Sequence, residues 1–105
     1  MRTIVIMNET HKLMDEQHKL LEVFGEYDIL SVPKAGWTID DMNNLDIDID
    51  DRIVFVSPVP YLLAKLSKRG YEVYLFHNDN RHKVELPDGK VIFRIPEKGW
   101  KLIKI

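Results

Sequence analysis

Apolar and polar positions along the chain follow two rhythms. Thr3–Met7 and Arg52–Val56 are short apolar runs rich in β-branched residues, which predicts strands buried on both faces. Tyr27–Val32 and Tyr71–Phe76 predict two more strands, the first stopped by Pro33. Between them the spacing turns helical. Leu13, Gln17, Leu20, Leu21 and Phe24 fall on one face of a helix over Leu13–Phe24, and Gly25 ends it. Thr38 stands as an N-cap, with Asp40 and Asp41 in the first turn of a short helix. Pro60 sits in the first turn of a third helix reaching about Arg69, with Leu62, Leu63 and Leu66 on its apolar face. Lys68 and Arg69 fill its last turn and Gly70 supplies a left-handed stop. In the tail, Val84-Glu85-Leu86 and Val91–Ile95 flank Asp88-Gly89, a hairpin signal, and Trp100–Ile105 adds a last short strand.

Strands separated by helices over the first three quarters predict a parallel, three-layer α/β sheet. The tail predicts an antiparallel hairpin at one edge. The expected architecture is therefore one small Rossmann-like domain over residues 1–105, mostly parallel, with a C-terminal antiparallel hairpin. Neither G-x-G-x-x-G nor G-x-x-x-x-G-K-[ST] occurs, so no nucleotide cofactor held by such loops is expected.

Composition narrows the classes further. A chain of 105 residues allows one small domain, and 45% hydrophobic with 30% charged residues excludes a disordered one. The absence of cysteine excludes disulfide scaffolds, thiolate nucleophiles and cysteine-ligated zinc. The apolar runs fall far short of a membrane span, and Met1–Asn8 reads as a strand rather than a signal peptide. The expected location is cytoplasmic, with neither a membrane nor duplex DNA as partner.

The net charge of −2 hides a division. Residues 1–52 hold five Lys/Arg against twelve Asp/Glu, a net −7, whereas residues 53–105 hold ten against five, a net +5. The basic half can attract an anionic ligand or form a solvated face.

In an open parallel sheet, ligands bind beyond the carboxyl ends of the strands. Four segments lie there: Asn8-Glu9-Thr10-His11, Pro33–Trp37, Ser57-Pro58-Val59-Pro60-Tyr61, and His77-Asn78-Asp79-Asn80-Arg81-His82-Lys83. The last is the densest. Histidine, Asn, Arg and Lys side chains together can hold a phosphodiester and stabilise charge growing on it. The same stretch also reads as an ordinary polar turn. Ser57-Pro58 precedes a helix start, where free N–H groups favour anions, or serves as a plain cap. Ser57 is not expected to be a triad nucleophile: it lacks the G-x-S-x-G turn, and no His–acid pair stands out. His11 and His18 are seven apart, whereas helical metal pairs favour four, and Asp46, Asp48 and Asp50 lack the Gly and Glu of a calcium loop. No metal site is expected. Trp37 and Trp100 fit packing at the edge of the core better than base stacking.

Two stretches carry a resemblance. Asn8-x-x-His11-x-Leu13-x-x-x-Gln17 with Leu20-Leu21 and Phe24-Gly25 resembles the first strand–helix unit of small CRISPR-associated ring nucleases of type III systems, a CARF-like, Rossmann-like family. Ser57-Pro58-Val59-Pro60-Tyr61-Leu62-Leu63-Ala64, then Lys68-Arg69-Gly70 and Tyr71-Glu72-Val73-Tyr74, is similar to their strand, Pro-containing turn, helix and next strand. The pattern covers about three quarters of the chain, and the motifs only those two stretches. The resemblance implies a homodimer that binds cyclic oligoadenylate, such as cyclic tetra-adenylate, across its two-fold axis. It implies metal-independent cleavage by a ribose 2′-hydroxyl, leaving a cyclic 2′,3′-phosphate and switching off the antiviral signal. It fixes no catalytic residue. From the chemistry alone, Arg81 and Lys83 are candidates for phosphate charge and His77 or His82 for proton transfer. Asn8, Thr10, His11, Ser57, Pro58, Asn78 and Asn80 are candidates for holding the ring. A non-catalytic sensor or sponge of the same fold, or a protein self-associating through its acidic and basic halves, remains open.

Overall fold

The computed structural model describes residues 1–79, 82–94 and 98–105, with 82–84 and 92–94 described as backbone only. β1 (Thr3–Asn8), β2 (Asp28–Val32), β3 (Arg52–Phe55) and β4 (Glu72–Asn78) form a parallel sheet, joined antiparallel at its edge by β7 (Trp100–Lys104). The order is β2-β1-β3-β4-β7. The helices are α1 (Asp15–Leu21), α2 (Ile39–Asn43) and α3 (Pro60–Lys68). The mostly parallel α/β architecture is as the apolar runs predict.

Alternation within the strands divides the core into two layers. Ile4, Ile6, Ile53, Phe55 and Val73 face Met42, Leu62 and Leu66 of α2 and α3. Val5, Val54 and Phe76 face Leu21 of α1. Both central strands are thus covered on both faces, which is why they read as unbroken apolar runs. α1 is shorter than its periodicity predicts. Met14 is its N-cap, whose N–H donates to Gln17 Oε1 at 2.8 Å, and the last turn, Glu22–Phe24, tightens to a 3-10 helix. α2 begins as expected: Thr38 Oγ1 accepts the Asp41 N–H at 3.1 Å, and Asp41 Oδ2 accepts the Thr38 N–H at 3.0 Å. Gly70 ends the α3 turn at φ +84°, where a side chain would be strained.

The tail differs in one respect. The hairpin forms, as β5 (His82–Glu85) and β6 (Val91–Arg94), but as a separate two-stranded sheet rather than at the edge of the main one. The edge position belongs to β7. Glu16 of α1 holds it there, its Oε1 accepting the N–H groups of Gly99 at 2.9 Å and Trp100 at 2.7 Å. Both tryptophans pack: Trp37 against the α2–α3 layer, and Trp100 edge-on to Phe76 at 6.2 Å.

At the amino end of the sheet, Asp51 is buried and ties three segments. It accepts from Arg2 Nη2 at 2.8 Å and from the Asp48 N–H at 2.9 Å, while Arg2 also reaches the Asp46 carbonyl at 3.1 Å. The hydrogen bond from Arg2 holds the Asp51 carboxyl below the usual range, against the opposing effect of burial. With the folded pKa below the unfolded value of about 3.9, the contribution is complete above that value and is lost as pH falls through the depressed one. Asp51→Ala is expected to cost about 1–3 kcal/mol in chemical denaturation near neutral pH. The difference from wild type is expected to shrink under acid; a constant difference from pH 7 to pH 2 would contradict the linkage.

Candidate functional site

The chain leaves β1 toward α1 on one face and leaves β3 toward α3 on the other. Its direction of winding therefore reverses between these neighbouring strands, and their carboxyl ends open a crevice. The loops after them are bonded across it. Ser57 Oγ accepts the Asn8 N–H at 3.1 Å and lies 2.7 Å from His11 Nδ1. Asn8 Oδ1 accepts both the N–H (3.0 Å) and the hydroxyl (2.7 Å) of Thr10, and the His11 N–H closes the turn onto the Asn8 carbonyl at 2.9 Å. Glu9 fastens the next loop through the Lys34 N–H at 2.9 Å.

Four of the sequence candidates are thus brought together: Asn8, Thr10, His11 and Ser57. Pro58 is exposed beside them. No side chain caps α3, and Pro60 at its first turn lacks an N–H, so the following first-turn N–H groups face this end of the sheet.

His77 lies near the carboxyl end of β4, the strand beside β3. Ile6 pairs with Phe55 and Phe55 with Leu75. The ladder stops there on β3, where Val56 and Ser57 bend with both N–H groups on the Ile6 carbonyl, so His77 shares only the carboxyl end of the sheet with Asn8 and Ser57. His77 Nε2 donates to Asp79 Oδ1 at 2.6 Å, and Lys101 Nζ donates to Asp79 Oδ2 at 3.3 Å. A carboxylate only accepts, so Nε2 carries the proton and Nδ1 is the nitrogen turned to other use. This His–acid pair is one the sequence reading missed. The signal was the two-residue spacing of His77 and Asp79, which places both on one side of an extended segment.

The other candidates are placed differently. Asn78 is buried among the residues of the α1 layer, and its amide donates to the Lys98 carbonyl at 2.9 Å, fastening the approach to β7. Asn80 and Arg81 lie outside the described residues. His82 and Lys83 are described only as backbone of β5. His18 is exposed, its Nδ1 2.8 Å from the Tyr27 hydroxyl. Among the described residues, no group of three or more His, Asp or Glu side chains is arranged to hold a metal ion. No helix there is long and apolar enough to cross a membrane.

Chemically, the Asn8–His11–Ser57 cluster offers an imidazole beside a hydroxyl and backbone donors, and β4 carries a second imidazole, His77, near its own carboxyl end; each ring has one nitrogen held by a neighbour. That set can move protons and bind an anionic oxygen. Compared with family models, curated proteins and solved structures, the chain has no match.

The hydrogen bonds from His77 and Lys101 hold the Asp79 carboxyl below the usual range. In a carbon-detected NMR titration its midpoint is expected below the ordinary value of about 3.9 and is expected to climb in His77→Ala. An unmoved midpoint in that variant would show that the pair does not form in solution.

Proposed function

We propose that the protein binds cyclic oligoadenylate at the carboxyl ends of β1, β3 and β4 and cleaves it without a metal. The observation that carries this reading is the Asn8–Ser57–His11 bonding across the point where the winding reverses. These residues lie in the two stretches that resemble the ring nucleases. In the reaction a ribose 2′-oxygen bonds to the adjacent phosphorus and the P–O5′ bond breaks. The products are a cyclic 2′,3′-phosphate and a free 5′-hydroxyl. One proton leaves the 2′-hydroxyl and one is delivered to O5′.

His11 and His77 are suited to those two transfers. Each has one nitrogen occupied by a positioning neighbour, Ser57 or Asp79, and presents the other. The first-turn N–H groups of α3 are suited to phosphate oxygens. Arg81 and Lys83 remain candidates for charge on the phosphorane. A homodimer would present two such clusters to one ring, and a messenger of this kind carries with it a cytoplasmic location.

Labelled cyclic tetra-adenylate incubated with the purified protein and excess EDTA is expected to yield linear product ending in a cyclic phosphate. His11→Ala and His77→Ala are each expected to slow this about 10²- to 10⁴-fold. Tight retention of an intact ring would instead mark a sensor. Neither binding nor cleavage, with cyclic tri- and hexa-adenylate also tried, would overturn the reading.

A further inference from the structure

The acidic and basic halves of the chain meet on one face. α2 and the connection after it carry Asp40, Asp41, Asp46, Asp48 and Asp50, all exposed. Beside them on α3, Tyr61, Ala64, Lys65, Lys68 and Arg69 line an open groove of about 600 Å³. The two stripes are held next to each other. Lys65 Nζ donates to Asn43 Oδ1, and Leu45 and Ile47 share a cleft with Leu62, Arg69 and Tyr71. Yet among the described residues none of these five acids and none of these three cations enters an ion pair within the chain. The same elements expose large apolar side chains: Ile39 at 56%, Ile49 at 53% and Tyr61 at 44%.

We propose that this face docks a second copy of the chain, the acidic stripe of each copy lying on α3 of the other. A two-fold interface requires a self-complementary surface. Two parallel stripes of opposite charge satisfy that requirement when the axis runs between α2 and α3, along the strands. The rotation exchanges the stripes, so each meets its opposite on both sides of the axis. It also keeps like ends together: Asp48 and Asp50, which flank the amino end of β3, come against Lys68 and Arg69 at the carboxyl end of α3. Any other partner would have to carry the same two stripes at the same spacing. The clustered acids repel one another in the free chain, and the partner's cations offset that repulsion. Ile39, Ile49 and Tyr61 supply apolar surface that a purely solvated face would not need. The interface needs no ligand, although both Ser57–His11 clusters then open at the same end of the pair.

Sedimentation velocity of the full chain, with no nucleotide added, tests this. A dimer is expected at about 50 mM salt, with its dissociation constant weakened at least about tenfold at about 500 mM by screening. Lys68→Glu with Arg69→Glu, and separately Asp48→Lys with Asp50→Lys, are each expected to give monomers where the wild type is dimeric. An equimolar mixture of the two variants restores opposite charges at both contacts and is expected to form a heterodimer. Pairing in the mixture also shows that each variant is folded. A wild type that stays monomeric at low salt, a dimer that survives either reversal, or variants of native circular dichroism that fail to pair when mixed would overturn the interface.

Discussion

The central constraint is that β1 and β3 lie side by side with both faces covered. Val5, Ile6, Ile53, Val54 and Phe55 have no exposed surface. A backbone so buried must place its polar groups in the ladder, because an unpaired one there costs roughly as much as a lost hydrogen bond. Polar side chains are thereby pushed to the strand ends. Since α1 and α3 depart to opposite faces, the carboxyl ends are the place where no helix closes over the sheet. The loops that begin there must find partners in each other, and Ser57 with Asn8 and His11 is the result.

That origin explains why the cluster has the chemistry it has. Ser57 Oγ already accepts the Asn8 N–H, so it has one lone pair and one proton left for His11. Either arrangement fixes the ring through Nδ1 and leaves Nε2 outward. His77 is held through the opposite nitrogen, by a carboxylate that is itself braced by Lys101. The two imidazoles therefore present different nitrogens and sit in different electrostatic surroundings.

The strands, the Thr38 cap and the strand-end segments were legible because each rests on local chemistry. The unbroken runs at Thr3–Met7 and Arg52–Val56 could only be buried strands, and Thr38 with Asp41 is a contiguous capping box. The placement of β7 was not legible. It depends on Glu16 reaching Gly99 and Trp100, residues more than eighty positions away, and no periodicity encodes such a contact. The hairpin itself was legible but its place was not, for a related reason: Asp88-Gly89 specifies the turn but not the sheet that its strands join. At the crevice, residue types pointed to two loops that the fold bonds together. The pairings did not follow, since His11 and Ser57 are joined by topology alone. Asn78 shows the converse. It lies inside the densest polar segment, yet strand alternation turns it to the other face, where it fastens backbone.

The acidity of the first half of the chain opposes a polyanionic ligand only where it lies near the crevice. β3 starts at Arg52, paired with Thr3 at the start of β1, so the connection from α2 must travel from the carboxyl end of the sheet to its amino end. Asp46, Asp48, Asp50 and Asp51 lie at the end of that journey, beside Arg2. They are separated from Asn8 and Ser57 by the length of the strands, about 13–20 Å for strands of four to six residues, which exceeds the screening length of about 8 Å at physiological salt. Glu9, in the loop after β1, does sit at the crevice, and its carboxylate is engaged by the Lys34 N–H. The Asp46–Asp51 run is therefore carried away from the crevice, to the end where two copies can meet through it.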